Sequence, residues 1–213
     1  MSQLHLLTAD GHRLAAEASP GSLPAVVICH PDPRLGGDRH HSVVDALYRT
    51  VTGSGRAAIR FDFRPEPADH LESLADLRAA IDHIVARPES ATPEDDHRGD
   101  ASTGVHIVGY SFGALVAAAL QQSEPASVVS LTLIAPPQLI GDPGATPTQL
   151  IIATHDQFCD IEHLEMLVSH WRHRPTVVEI VGADHFLLGA SDRVAATVTE
   201  FIDRFDPHPT TEP

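Results

Sequence analysis

The stretch VHIVGYSFGALVAAALQQ, residues 105–122, decides the fold of this chain. Its apolar start predicts a buried β-strand, and its alanine- and leucine-rich end predicts a helix. Between them lies Gly109-Tyr110-Ser111-Phe112-Gly113, a G-x-S-x-G sequence. Two glycines let strand and helix pass closely, so that Ser111 projects at the carboxyl end of the strand. The pattern therefore predicts a nucleophilic serine at the carboxyl end of the sheet. The alternative is a Gly-Ser turn without chemistry.

Short apolar runs alternate with longer helical patterns on both sides of this stretch. An Asp10-Gly11 turn between residues 3–8 and 12–18 predicts a hairpin. Further strands are predicted at 25–29, 57–63, 105–108, 128–134, 150–154 and 177–181, and helices at 38–51, 73–85, 112–121, 161–171 and 192–205. Such alternation indicates crossover helices between parallel strands. We expect one α/β domain over residues 1–206, with a mostly parallel sheet of about eight strands covered by helices on both faces. An acidic, mobile loop is predicted at 88–104 and a disordered tail at 207–213.

Composition excludes several classes of function. The 213 residues carry a formal charge of −15, which disfavours binding to nucleic acids and to anionic membranes. Two cysteines, Cys29 and Cys159, form neither a disulfide framework nor a zinc motif. No signal peptide or membrane span is recognisable, and the expected location is the cytoplasm. The oligomeric state cannot be read from the sequence.

A nucleophilic serine needs a base, and the base needs an orienting carboxylate. His185 is the predicted base because it follows the last predicted strand, although fifteen histidines make a single one uninformative. Asp156, two residues past the preceding strand, is the preferred acid. Asp160 is the alternative that better suits a helix cap, and Asp142 suits a turn.

Four segments resemble the α/β-hydrolase superfamily, in particular its small lidless branch near dienelactone-hydrolase-like enzymes and a set of predicted serine hydrolases. They are His30-Pro31-Asp32-Pro33-Arg34-Leu35-Gly36-Gly37, residues 109–113, the Gly182-Ala183-Asp184-His185-Phe186 segment, and residues 153–159. Departures are Asp32 where the resemblance has a second histidine, Ala153 in place of a glycine of the acid loop, and Pro65 in place of another glycine. These departures bear on the substrate more than on the class of reaction.

The resemblance implies an α/β-hydrolase fold without a cap domain, since residues 136–149 are too few for one. It also implies an oxyanion hole formed by the backbone N–H groups of Phe112 and Asp32. We expect an open, shallow pocket without metal or cofactor, and we regard the pairs His40/His41 and His170/His173 as incidental. Its expected walls are Leu35, Tyr110, Phe112, Pro136, Pro137, Phe158, Phe186 and Leu187.

The predicted function is cleavage of a small ester or thioester by Ser111, His185 and Asp156 through an acyl-enzyme. Two alternatives remain open at this point. The same three residues support acyl transfer to an alcohol or amine, and a hydrolase fold can serve as a binding protein without catalysis.

Overall fold

A single sheet of eight strands lies at the centre of the described residues, which are 4–67, 70–86, 104–137 and 140–205 of the computed structural model. The strands are β1 Leu4–Leu7, β2 Arg13–Ser19, β3 Ser22–Cys29, β4 Arg56–Phe61, β5 Val105–Tyr110, β6 Val128–Ile134, β7 Thr148–Ala153 and β8 Thr176–Ile180. Their order is β1-β2-β4-β3-β5-β6-β7-β8. Within this described sheet the β1–β2 and β2–β4 pairs are antiparallel and the other five pairs are parallel, which confirms the predicted hairpin and the mostly parallel sheet.

Helices cover both faces of the sheet, as predicted. They are α1 Ser42–Gly53, α2 His70–Val85, α3 Phe112–Ser123, α4 Ile161–Ser169 and α5 Ser191–Ile202. Helices α1 and α5 pack on one face, and α2, α3 and α4 pack on the other. Strands β4, β5 and β7 are buried along their whole length, because parallel strands covered on both faces keep no solvent-facing side.

Some predicted boundaries differ from the observed ones. Helix α1 begins at Ser42 and not at residue 38, because His41 accepts a hydrogen bond from the N–H of Val43 and caps the helix. Residues 38–41 instead form a loop, in which the N–H of Arg39 donates to Asp62. The loop predicted at 88–104 and the tail predicted at 207–213 fall, apart from Gly104, on residues outside the described ranges.

Chain topology brings several loops to one edge of the sheet. Strand β3 lies between β4 and β5, so the chain moves to one side after β3 and returns to the other side with β5. Ligands bind at such a switch point, beside the carboxyl ends of the strands. Between β6 and β7 the described residues contain no cap domain. None of the helices described here has the length and apolar character that a membrane span requires.

Candidate active site

Ser111 occupies a strained turn between β5 and α3. Its φ of 54° and ψ of −114° lie outside the regions that non-glycine residues favour. The N–H of Ser111 donates to the carbonyl oxygen of Ile134 at 2.8 Å, which holds the turn against β6. A Cβ at Gly109 would lie 2.3 Å from the oxygen of Gly113, and one at Gly113 would lie 2.5 Å from the oxygen of Cys29. Both glycines are therefore required by close backbone packing.

Three side chains from distant parts of the sequence form one hydrogen-bonded line. The Oγ of Ser111 lies 2.9 Å from the Nε2 of His185. On the other side of the ring, the Nδ1 of His185 lies 2.8 Å from the Oδ2 of Asp156. The side chains of His185 and Asp156 are only 7% and 1% exposed. The arrangement can pass a proton from the serine to the imidazole while the carboxylate stabilises the resulting imidazolium.

The loop after β7 holds Asp156 in place. The N–H groups of Phe158 and Cys159 donate to its Oδ1 at 2.8 and 3.2 Å. The N–H of His155 donates to the oxygen of Ala183 at 2.9 Å, so this loop is tied to the loop that carries the histidine. The hydroxyl of Tyr110 donates to the oxygen of His185 at 2.9 Å. Burial raises the pKa of the Tyr110 phenol, so the group stays protonated as a donor.

The alternative acids Asp160 and Asp142, and also Asp184 beside the histidine, have local roles. Asp160 accepts a hydrogen bond from the N–H of His163 and caps α4. Asp142 accepts from the N–H groups of Gly144 and Arg172, and it does not line the cleft that contains Ser111. Asp184 accepts from the N–H of Phe186, as a turn-forming aspartate does.

The two expected oxyanion donors flank the same cleft as Ser111. Phe112 is the first residue of α3, so its N–H has no acceptor within the helix. Asp32 precedes a 3-10 turn, Pro33–Leu35, and its carboxylate pairs with the guanidinium of Arg34 at 2.7 Å. Hydrogen bonding to Arg34 lowers the pKa of Asp32, so the carboxylate is ionised and paired. Arg34 thereby offsets the negative charge that Asp32 brings to the cleft.

His30 anchors the loop that carries Asp32. Its ring is buried, and burial lowers its pKa, which favours the neutral form. The Nε2 accepts from the N–H of Phe63 at 2.8 Å, and the Nδ1–H donates to the oxygen of Pro31 at 2.5 Å. In the sequence, His30 stands out only as part of a motif, and no role was predicted for it. Its position at the end of a strand buried on both faces was the available signal.

The cleft beside Ser111 has a volume of about 630 Å³. Its lining residues are Pro31, Asp32, Arg34, Leu35, Gly36, Gly37, His41, Tyr110, Ser111, Phe112, Leu115, Pro137, Phe158, His185 and Phe186. The expected wall residues Leu35, Tyr110, Phe112, Pro137, Phe158 and Phe186 are among them.

Two expected wall residues do not reach the cleft. Pro136, two residues after β6, is buried, whereas Pro137 lines the cleft. Leu187 is fully buried against α5 and its neighbours. Helix-side residues His41 and Leu115 were not predicted as walls, because the sequence does not show how helix ends turn toward the cleft.

Neither cysteine is positioned as a nucleophile. Both are free and buried. Burial, together with Asp156 and Asp160, raises the pKa of Cys159 to about 11. Within the described ranges, no group of three or more His, Cys, Asp or Glu side chains is placed to hold a metal ion.

Comparison with known proteins gives a likeness of fold. No protein-family model matches the chain. An uncharacterized protein of Rickettsia prowazekii is 21% identical over 95% of this chain and 89% of its own length. A lidless α/β serine hydrolase of Xanthomonas campestris, XC6422, superposes with a TM-score of 0.76 at 22% identity, covering 100% of this chain and 96% of the other.

Two further structures show the same likeness. A protein of unknown function from Agrobacterium tumefaciens, described as a candidate α/β hydrolase, gives a TM-score of 0.76 at 23% identity, with 95% of each chain covered. Est1E of Butyrivibrio proteoclasticus, solved with ferulic acid bound, gives 0.74 at 16% identity, covering 95% of this chain and 98% of the other. The chain therefore has the α/β-hydrolase fold, as its sequence resemblance implied, with no cap domain in the described residues.

Proposed function

We propose that this chain is a serine hydrolase that cleaves a small ester or thioester through an acyl-enzyme. The observation that carries the proposal is the unbroken line of hydrogen bonds from Ser111 through His185 to Asp156. The line lies at the carboxyl edge of the sheet, beside a cleft of about 630 Å³. A turn with only a structural role would not require the buried carboxylate of Asp156 to be hydrogen-bonded to the buried imidazole of His185.

In the proposed reaction, His185 removes the hydroxyl proton as Ser111 attacks the acyl carbon. Asp156 keeps the proton on Nδ1 of the imidazole, so that Nε2 faces the serine, and it stabilises the imidazolium. His185 then protonates the leaving group, and the alcohol or thiol departs. In the second step His185 takes a proton from water, the water attacks the acyl-enzyme, and His185 returns the proton to Ser111 as the acid is released.

The proposed oxyanion hole uses backbone groups. The N–H of Phe112 lies at the start of α3, where the helix dipole favours negative charge. The N–H of Asp32 is the proposed second donor. The pairing of its carboxylate with Arg34 supports this role, because an unpaired carboxylate beside a developing oxyanion would oppose it.

The walls of the cleft favour a small, largely apolar substrate. Leu35, Phe158 and Phe186 are exposed apolar side chains at its rim, and no cap domain encloses the site in the described residues. Est1E, a neighbour of the same fold, was solved with ferulic acid, so esters of aromatic acids belong beside short aliphatic esters in a substrate panel. Two free thiols suit a reducing compartment, and we assign the reaction to the cytoplasm.

A panel of p-nitrophenyl esters with acyl chains of graded length tests the proposal. The wild-type protein is expected to prefer short acyl groups and to lose turnover in Ser111→Ala. Addition of an alcohol acceptor separates hydrolysis from acyl transfer, because a transferase forms a new ester in place of the free acid. Absence of Ser111-dependent turnover across the panel would support a binding protein on a hydrolase fold.

A further inference from the structure

His41 lies on the wall of the cleft, at the start of α1, and the proposed mechanism does not use it. Its ring is partly buried and contacts the ring of Tyr110, with 5.2 Å between the two centroids. By sequence, His41 and its neighbour His40 were expected to be an incidental pair. The structure separates them, because His40 is exposed and does not line the cleft.

The hydrogen bond at the helix cap determines which ring nitrogen of His41 carries the proton. The N–H of Val43 donates to Nδ1 at 3.4 Å, so Nδ1 acts as the acceptor. Burial lowers the pKa of His41, which favours the neutral ring. A neutral imidazole whose Nδ1 accepts carries its proton on Nε2. Among the described residues, the hydrogen bond of the His41 side chain uses Nδ1 and leaves Nε2 without a protein partner, and Nε2 is not among the buried unpaired atoms, so it faces solvent in the cleft.

The other polar side chains of the cleft each have a hydrogen-bond or ion-pair partner within the protein. Ser111 is bonded to His185, and the hydroxyl of Tyr110 donates to a backbone oxygen. The guanidinium of Arg34 is paired with the Asp32 carboxylate, so the pair adds no net charge to the cleft. The Nε2–H of His41 is therefore a neutral hydrogen-bond donor in a wall without net charge, which suits an uncharged ligand. A ligand that brings an acceptor there avoids leaving a desolvated N–H unpaired.

The position of His41 indicates which part of the substrate it meets. The leaving group departs beside His185, which protonates it. The ring of Tyr110 contacts both His185, at 6.1 Å between centroids, and His41, so the two histidines lie on neighbouring parts of the cleft wall. With the leaving group placed at His185 by the proposed mechanism, the acyl group is the part of the substrate assigned to His41.

We propose that His41 is a specificity-determining residue, whose Nε2–H binds a carbonyl or ether oxygen on an uncharged acyl group. The inference rests on the proposed function and names the substrate class of that site. The acyl chain carries its acceptor a few bonds from the scissile carbonyl and has an apolar body that packs against Leu35 and Leu115.

Two esters of nearly equal shape test this proposal. p-Nitrophenyl 4-oxopentanoate carries a distal carbonyl, and p-nitrophenyl 4-methylpentanoate replaces it with an apolar branch. The measured quantity is the ratio of kcat/KM for the oxo ester to that for the methyl ester. In His41→Asn, whose side chain can still cap α1, this ratio should fall about three- to tenfold, because only the oxo ester loses a hydrogen bond.

Three more variants complete the experiment. His41→Gln can place an amide N–H near the former Nε2 and should recover part of the ratio, whereas His41→Leu should lose it. His40→Asn is the matched control and should behave as wild type. A ratio in His41→Asn and His41→Leu equal to that of wild type overturns the role of His41. If neither ester shows Ser111-dependent turnover in wild type, the proposed function itself fails, and the two failures are thereby distinguished.

Discussion

The groups on the two sides of Ser111 differ in kind: side chains act on one side, and backbone N–H groups are proposed to act on the other. On one side, Asp156 and His185 act through side chains and are joined by hydrogen bonds of 2.8 to 3.1 Å. On the other side, Phe112 and Asp32 are proposed to act through backbone N–H groups. Side-chain chemistry can be read from residue identity, whereas backbone chemistry depends on where the chain is placed.

The two sides are also held in place differently. Hydrogen bonds between loops hold the proton-relay side, for example from the N–H of His155 to the oxygen of Ala183. Close backbone packing holds the oxyanion side, where a Cβ on Gly113 or on Gly37 would lie within 2.5 Å of a carbonyl oxygen. Substitutions on the relay side should therefore change catalysis with little change in stability, and those on the oxyanion side should change both.

The largest effect is expected on the relay side. Asp156→Asn removes the charge that orients and stabilises the imidazole, and kcat should fall about 10³- to 10⁴-fold. The melting temperature should change little, since an asparagine oxygen can still accept from the N–H of Phe158. Steady-state ester hydrolysis measures the loss. Asp160→Asn is the control, because asparagine also caps helices well, and its activity should match wild type. A kcat for Asp156→Asn within tenfold of wild type contradicts the assignment.

Gly113→Ala should affect both stability and activity. The added Cβ would lie 2.5 Å from the oxygen of Cys29 and 2.7 Å from that of His30, so α3 or β3 must shift. We expect a loss of about 1–3 kcal/mol in the free energy of unfolding, and a loss of turnover beyond what unfolding explains. Gly53→Ala, where the new Cβ meets nothing within 4 Å, is the matched control. Urea denaturation measures the free energy of unfolding of the two variants. A Gly113→Ala protein as stable as Gly53→Ala would contradict the packing argument.

A smaller effect is expected when Arg34 is removed. Arg34→Gln leaves the Asp32 carboxylate unpaired at the edge of the proposed oxyanion hole. Because the guanidinium is 58% exposed, solvent screens much of the change, and kcat should fall only about two- to fivefold. The double variant Arg34→Gln with Asp32→Asn should recover most of this loss. If the double variant is as slow as the single one, the charge of Asp32 is not the cause.

The smallest effect on activity is expected at Cys159. Its N–H, and not its thiol, donates to Asp156, so Cys159→Ala should keep kcat within about twofold of wild type. A pKa of about 11 means that the thiolate forms only as pH approaches that value. Alkylation by iodoacetamide should therefore be slow at pH 8 in the folded protein and should accelerate with pH. Rapid alkylation at pH 8, with loss of activity, would contradict this description.

The same contrast explains how much the sequence could predict. The fold followed from the alternating periodicity, and Ser111, Asp156 and His185 followed from their positions after predicted strands. The walls of the cleft were predicted less well. Pro136 and Pro137 cannot be told apart by pattern, because a one-residue difference decides which of two adjacent prolines faces the cleft. His30 and His41 act through burial and through hydrogen bonds to Phe63 and Val43, which only three-dimensional packing creates.

Covalent labelling of Ser111 tests the central proposal most directly. A fluorophosphonate reacts with a serine only when a neighbouring base activates it, and the adduct can be located by mass spectrometry of the peptide that contains residues 109–113. We predict one adduct per chain, on Ser111, that is lost in Ser111→Ala and strongly slowed in His185→Ala. An unlabelled wild-type protein, or an adduct that persists in Ser111→Ala, would contradict the account.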